Sequence, residues 1–229
     1  MKTILIDVDT QHDFCDPRGA LYVRGSERLA PAFQALVGRA VARGAPIVAS
    51  VDSHAFDAWE FAGAPEAGPT GERPGFPAHC VKGTAGWLKV PGTTAPRARF
   101  VPNVPVDDAT LESLLSKHAP QQLLLEKEVY SLFANPNAEA VLARLAESAG
   151  GAATRFVVFG VATDYCVRAA ALGLVEWLGR RARGGEVCLV EDAIAAVDEA
   201  GGARALADCA AAGVRCVTVE AALAAIGSH

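Results

Sequence analysis

The chain has 229 residues, of which 51% are hydrophobic and 21% are charged, so it can bury the core of one domain or two small ones. A net charge of −5 argues against the basic surface that binds nucleic-acid phosphates, and we expect no nucleic-acid partner. No apolar run reaches the roughly 18 residues of a membrane span, and the first residues lack the long apolar region of a signal peptide, so we predict a cytoplasmic protein with no membrane partner.

Apolar runs alternate with helical segments along the chain. Near-continuous runs such as RFVVFG at 155–160 are typical of strands buried on both faces of a parallel sheet. We therefore predict an α/β fold of three layers, α/β/α, with a central, mainly parallel six-stranded sheet and right-handed crossovers. In chain order the predicted elements are a strand at 3–8, a helix at 26–43, a strand at 46–51, a helix at 108–117, a strand at 121–125, a helix at 136–148, a strand at 155–160, a helix at 163–182, a strand at 186–191, a helix at 199–212, a strand at 214–219 and a helix at 220–226.

Residues 53–104 interrupt this alternation, because they are rich in proline and glycine and show little periodicity. A loop of this length inside a compact domain is usually functional. The chain has no internal repeat and no low-complexity linker. We therefore predict a single domain over residues 1–229, with a long loop insertion at about 53–104.

Chemically useful side chains follow four of the predicted strands. Asp9 follows the first strand, Asp52 the second and Lys127 the third. In GVATDYCV at 160–167, after the fourth strand, Cys166 falls in the first turn of the next predicted helix. Because the carboxyl ends of parallel strands meet at one edge of the sheet, where open α/β proteins bind ligands, we expect these side chains to lie close together.

Two interpretations of Cys166 remain open from its local sequence. The N–H groups and the dipole at a helix start favour a thiolate and can receive an oxyanion, which suits a nucleophile. A cysteine in this position can equally pack against the sheet without any reaction. A thiol nucleophile needs a proton acceptor and a group that stabilises its anion, and Asp9 and Lys127 would supply both. Each of these two, taken alone, is also a common turn or surface residue.

A second group consists of Asp52, His54 and His79. The D-x-H spacing lets two side chains reach one metal ion if they project the same way, and His79 lies in the long loop that would fold back over this strand end. The alternative is that both histidines are ordinary polar loop residues. Because the chain has only five histidines, we favour a site for zinc, iron or manganese, completed by another carboxylate.

Five segments over nearly the whole chain carry a family resemblance: DTQHDFCDPRGALYVRGS, DSHAFDAWEF, FPAHCVKGTAGW, KEVYSLFANPN and GVATDYCV. Together they resemble the isochorismatase-like cysteine hydrolases, and within that family they are most similar to the nicotinamidases. The resemblance implies a catalytic triad of Asp9, Lys127 and Cys166. It also implies a cis peptide bond between Val161 and Ala162 that directs the N–H of Ala162, with that of Cys166, into an oxyanion hole.

The resemblance further implies a substrate pocket with an aromatic wall. Phe14 and Phe76 correspond to the side chains that sandwich the substrate ring, and Val161 and Ala162 lie beside them. Phe76 stands where many relatives have tryptophan, which is a mild departure from the pattern.

The metal motif departs further from the family pattern. In nicotinamidases a second histidine follows the aspartate by six residues, whereas this chain has Ala58 at that position. Our hypothesis is that Glu60, two residues later, completes the site with Asp52, His54 and His79.

The activity implied by the resemblance is hydrolysis of nicotinamide to nicotinic acid and ammonia, in NAD salvage, through a thioester on a cysteine. One alternative keeps the nucleophile but changes the substrate to another small amide, a ureide or a carbamoyl compound, whose hydrolases generally lack the metal group. An alternative of another class is a non-catalytic binding protein on the same fold, against which the intact triad argues. Relatives are commonly dimers or larger, so the resemblance also implies a homo-oligomer, with zinc as the favoured metal.

Overall fold

A sheet of seven parallel strands organises the part of the chain that the computed structural model describes, residues 1–68, 71–147, 153–181 and 184–226. In chain order the strands are β1 (Lys2–Val8), β2 (Ile47–Asp52), β3 (Ala98–Val101), β4 (Gln122–Lys127), β5 (Thr154–Val161), β6 (Gly185–Ala195) and β7 (Arg215–Val217). Their order across the sheet is β3-β4-β2-β1-β5-β6-β7, and all neighbouring pairs are parallel. β1 therefore lies at the centre of the sheet.

Helices cover both faces of this sheet. One apolar core, which includes Phe156 and Trp177, lies between one face of the sheet and the helices that cover it. A second core, which includes Phe33 and Phe159, lies between the other face and its helices. The three-layer arrangement follows directly from burial on both faces. The helices are α1 (His12–Cys15), α2 (Ala30–Arg43), α3 (Asp108–Ser116), α4 (Ala138–Glu147), α5 (Arg168–Arg180), α6 (Glu199–Ala211) and α7 (Val219–Ala225), with short helical turns at Ser26–Leu29, Leu132–Ala134 and Thr163–Val167.

Local capping signals set several helix ends. The side chains of Asp107, Asp198 and Thr218 accept N–H groups in the first turns of α3, α6 and α7, as expected of N-cap residues. Helix α2 ends at Gly44, which adopts the left-handed conformation of a C-cap glycine. Within the described ranges, no helix is both long enough and apolar enough to cross a membrane.

The predicted fold class is confirmed, but the sheet has seven strands rather than six. The additional strand β3 lies inside the predicted loop 53–104, and the sequence did not reveal it because it is short, lies at the sheet edge and exposes Phe100. The predicted helix 163–182 is also divided, into a π-helical turn and α5. Residues 148 and 182, the last of two predicted helices, lie outside the described residues.

The strand order brings the carboxyl ends of the four central strands together. Val8 at the end of β1 pairs with Ser50 on one side and with Gly160 on the other, while Asp52 pairs with Lys127 across β2 and β4. Gly160 has a φ of 123°, and a Cβ there would lie 2.0 Å from the carbonyl oxygen of Val8. Only glycine therefore permits this close approach of β5 to β1 at the edge of the sheet.

Replacing Gly160 with alanine should strain this edge of the sheet. We expect Gly160→Ala to lower the free energy of unfolding by about 1–3 kcal/mol or more, because the methyl group meets a backbone carbonyl and the φ is unfavourable. Urea unfolding would measure the change. The matched control is Gly38→Ala in α2, where a Cβ meets no atom within 4 Å, and we expect a gain of about 0.5–1 kcal/mol there. Equal stability of the two variants would contradict this account.

Candidate active site

The buried ammonium of Lys127 lies among three other predicted site residues. Its Nζ lies 2.8 Å from Asp9 Oδ2 and 3.7 Å from Cys166 Sγ, and it donates a short hydrogen bond to Asp52 Oδ1. Burial by itself would lower the pKa of Lys127, but Asp52 and Asp9 together raise it well above its usual value. The side chain is therefore a permanent cation that neutralises part of the charge of two carboxylates.

Asp9 is held in place by its neighbours on β2. Its φ of 47° is unusual for a residue other than glycine, and the Ser50 carbonyl accepts its N–H at 3.2 Å. Ser50 Oγ donates to Asp9 Oδ1 at 2.7 Å, whereas the buried Oδ2 accepts no hydrogen bond of normal geometry from the described residues. Burial raises the pKa of the Asp9 carboxyl, and the charge of Lys127 opposes that shift. Asp9 therefore presents an oxygen atom that can take up a proton.

Cys166 lies in the π-helical turn Thr163–Val167 rather than in the first turn of an α-helix, and its side chain is buried. Burial raises the pKa of the Cys166 thiol well above its ordinary value, and although Lys127 lowers it, the charges of Asp9 and Asp52 raise it further. Cys166 therefore lies in a π-helical turn rather than in the α-helix that the sequence predicts, and its thiol is surrounded by two carboxylates as well as by Lys127. A thiol with a raised pKa needs a base to become a nucleophile.

The turn before Cys166 contains the expected cis peptide bond between Val161 and Ala162. The carbonyl oxygen of Ala162 accepts the N–H groups of Tyr165 at 3.1 Å and Val167 at 3.0 Å. These two bonds close the π-helical turn directly on the end of β5. Val161, Ala162 and Cys166 all border one cavity.

The four predicted metal ligands converge at the end of β2. Donor atoms of Asp52, His54 and His79 lie within 4.8 Å of one another, and all three residues are buried. Glu60 Oε1 lies 3.0 Å from His54 Nε2 and 3.3 Å from His79 Nε2, while Asp52 Oδ2 lies 3.7 and 3.8 Å from the same nitrogens. Tetrahedral ligands about 2.1 Å from an ion would be about 3.4 Å apart, which is close to these separations.

The chemistry of this donor group also suits a cation. Both ring nitrogens of His54 are buried and make no hydrogen bond of normal geometry with the described residues, although Glu60 Oε1 lies 3.0 Å from Nε2. Burial lowers the pKa of His54, but Asp52 and Glu60 raise it to about 9, so the carboxylates create a place for positive charge. His79 Nδ1 lies 2.9 Å from the Pro77 carbonyl, which leaves its Nε2 facing the other donors. These residues fit a divalent metal ion.

A cavity opens over the Cys166 thiol and the donor group at the strand ends. Phe14 and Phe76 both border it, and their rings lie 5.6 and 6.1 Å from that of His79. Among the described residues no lysine or arginine lines the cavity, whereas two carboxylates do. The lining residues are Phe14, Leu21, Val23, Asp52, Glu60, Phe76, His79, Val129, Tyr130, Val161, Ala162, Tyr165, Cys166 and Val197.

Sequence reasoning missed the side chains at the mouth of this cavity. Tyr130 and Tyr165 are partly exposed and lie with ring centroids 5.3 Å apart, and Val197 is also exposed. Both tyrosines lie in segments that carry the family resemblance, but nothing in the sequence pairs Tyr165 with Tyr130. Val197 reaches the mouth because Asp164 Oδ1 accepts its N–H at 3.0 Å.

An open parallel α/β fold with buried titratable side chains around a cavity at its strand ends is characteristic of the α/β enzymes. The Isochorismatase domain model matches residues 3–221 of this chain. The chain therefore belongs to the isochorismatase family of hydrolases. No curated protein sequence is similar enough to be matched.

Solved structures of similar fold include several amidases. A pyrazinamidase of Pyrococcus horikoshii in complex with zinc has 28% identity and a TM-score of 0.66, with 95% of this chain and 99% of that chain covered. PnC1 from L. infantum in complex with nicotinate has 26% identity and a TM-score of 0.67, with 96% and 94% covered. A nicotinamidase/pyrazinamidase from Bacillus subtilis, at 22% identity, a TM-score of 0.66 and 95% and 100% coverage, shares the fold.

Removing the Lys127 charge should destabilise the protein, because it leaves the buried Asp9 and Asp52 carboxylates uncompensated. We expect Lys127→Met to cost about 3–5 kcal/mol of unfolding free energy, measured by chemical denaturation. Arg180 pairs with Glu139 at the surface, where both side chains are about half exposed, so Arg180→Met should cost at most about 1 kcal/mol. A Lys127 variant as stable as the Arg180 variant would contradict this view of the charge balance.

Proposed function

We propose that this protein is an amide hydrolase of the nicotinamidase type, with Cys166 as nucleophile and Asp9 as general acid and base. The observation that carries the proposal is the position of Lys127, whose ammonium contacts Asp9, Asp52 and Cys166 at once. This arrangement gives a thiol both a nearby proton acceptor and a cation that stabilises its anion. The similarity to a pyrazinamidase at 28% identity supports an amide as substrate.

The first half of the reaction forms a thioester. Asp9 takes the proton of the Cys166 thiol, and Lys127 stabilises the sulfur anion that attacks the amide carbonyl carbon. The N–H groups of Ala162 and Cys166 would receive the negative oxygen of the tetrahedral intermediate. When this intermediate collapses, the carbon–nitrogen bond breaks and Asp9 returns its proton to the nitrogen, which leaves as ammonia.

The second half regenerates the thiol. Asp9, now a carboxylate again, takes a proton from a water molecule that attacks the thioester carbon. Collapse of the second tetrahedral intermediate breaks the carbon–sulfur bond and releases the acid. The Cys166 sulfur then regains its proton from Asp9. For nicotinamide the products are nicotinic acid and ammonia, which would place the protein in NAD salvage in the cytoplasm.

We propose that Asp52, His54, Glu60 and His79 hold one divalent ion, zinc in preference to iron or manganese. When bound, this ion would supply a Lewis acid that holds the ring nitrogen of a pyridine amide beside Cys166. The mixed nitrogen and oxygen donors suit zinc. The pyrazinamidase of Pyrococcus horikoshii that resembles this chain contains zinc.

The charged side chains that line the cavity favour some candidate substrates over others. Asp52 and Glu60 border it, and none of the described lining residues is a lysine or arginine that could pair with a substrate carboxylate. A carbamoyl compound or ureide that carries a carboxylate would therefore find no lysine or arginine among these lining residues to pair with. The apolar walls around Phe14 and Phe76 suit a flat neutral ring instead. We infer that the substrate is a neutral aromatic amide.

Loss of the sulfur should abolish turnover. We expect Cys166→Ala to reduce the rate of ammonia release from nicotinamide by roughly 10⁴-fold or more, because no covalent intermediate can form. The control is Cys216→Ala, which removes the exposed thiol and should retain wild-type activity. A Cys166 variant that keeps substantial activity would exclude covalent catalysis. Wild-type protein that hydrolyses a carboxylate-bearing carbamoyl compound but not nicotinamide would exclude the proposed substrate class.

The role of Glu60 can be tested separately from catalysis. We expect Glu60→Ala to bind zinc at least about tenfold more weakly than wild type, because it removes the oxygen nearest to both imidazole rings. Metal analysis after dialysis against a chelator would measure this change. Glu66, on the same loop but outside the donor group, supplies the matched control Glu66→Ala. Equal zinc content in both variants would remove Glu60 from the ligand set.

A further inference from the structure

Asp13 lies outside the proposed active site, yet it makes polar contacts with three separate segments that border it. Its N–H donates to the Gly86 carbonyl at 3.0 Å, and its own carbonyl accepts the N–H of Leu21 at 3.1 Å. Its carboxylate accepts the N–H of Ala20 at 3.0 Å and that of Cys80 at 2.7 Å. Asp13 thus connects α1 to a cavity wall and to two parts of the long loop.

The contact with Cys80 connects Asp13 to the two histidines of the donor group. Cys80 follows His79 and is fully buried with a φ of 44°, a left-handed conformation that a non-glycine residue adopts only where contacts hold it. The carbonyl of Cys80 accepts the N–H of His54 at 3.1 Å. The backbone of Cys80 therefore links the Asp13 carboxylate, through its N–H, to the His54 backbone, through its carbonyl. His79 directly precedes this linking residue.

Gly86 packs directly against the Asp13 carboxyl group and leaves no room for a side chain of its own. A Cβ at Gly86 would lie 2.1–2.3 Å from three atoms of the Asp13 carboxyl group, so a larger residue could fit only if that group moved. The side chain of Asp13 does not border the cavity, and it belongs to none of the groups that contact Lys127. Its influence must therefore act through the backbone that it holds.

We propose that Asp13 is a positioning residue for the metal site, which fixes the separation of His54 and His79 through the backbone of Cys80. This inference rests on the proposed function, because it presupposes that the donor group binds a metal. The carboxylate has two acceptor oxygens for two N–H groups. An asparagine of the same shape has only one acceptor oxygen, and its NH₂ group would face a second donor.

Zinc affinity tests this inference without reference to any substrate. We expect Asp13→Asn to bind Zn²⁺ about tenfold to a hundredfold more weakly than wild type, the usual effect of losing a residue that supports metal ligands. Competition with a chromophoric chelator would measure the affinity. The matched control is Asp16→Asn, which removes the same charge three residues away, where the carboxylate accepts hydrogen bonds from Arg18 and lies 4.0 Å from His12 Nδ1.

A second variant and a second measurement make the result decisive. Gly86→Ala displaces the Asp13 carboxylate while leaving Asp13 unchanged, and Gly86 has no positive φ that alanine would strain, so we expect a similar loss of affinity. The rate of Cys166 alkylation in the metal-free proteins should stay at the wild-type value, because Asp13 does not contact the thiol or Lys127. A general loss of structure would change that rate.

The outcomes separate this inference from the proposed function. Wild-type protein that binds no zinc would contradict the proposed metal site. Zinc binding by wild type that is matched by Asp13→Asn and Gly86→Ala would overturn the positioning role alone. If Asp13→Asn does not fold, the affinity of Gly86→Ala decides the question by the same criterion.

Discussion

The rest of the site depends on the ion pairs that Lys127 forms with Asp9 and Asp52. Two carboxylates, Asp9 and Asp52, are buried at the ends of adjacent strands, and buried charges of the same sign persist only with a counterion. Lys127 supplies that charge from the end of β4, and it also lies beside Cys166. One ammonium therefore joins the proposed triad to the proposed metal ligands, so the two groups form a single electrostatic unit.

Buried polar contacts, rather than a helix, hold the long loop against this part of the structure. Gln11 donates to the carbonyl oxygens of Asp52 and Trp87, while Lys89 pairs with the fully buried Asp7 and donates to Thr10. All these anchors lie within a few residues of Asp9. The short segment after β1 thus positions the base directly and the loop that carries His79 indirectly, which explains how a loop with little secondary structure can supply precise ligands.

Local patterns in this chain predict its structure better than contacts between distant segments can be predicted. Buried strands such as β5 were predictable because continuous apolar runs leave few alternatives, whereas β3 was missed because an edge strand with an exposed Phe100 lacks that pattern. The position of Cys166 at a strand end was predictable, but its π-helical turn was not. Its raised pKa depends on burial and on Asp9 and Asp52, which come from distant parts of the chain.

The sequence by itself determined the fold class, the family and the residue types available at the strand ends, because periodicity and motif spacing are local properties of the chain. Only the tertiary structure brought Glu60 within 3.0–3.3 Å of His54 and His79, and paired Tyr130 with Tyr165 at the cavity mouth. The absence of cationic side chains among the described lining residues was equally a tertiary result. These features depend on distances between segments far apart in sequence, which the crossovers of the sheet and the anchoring of the long loop decide.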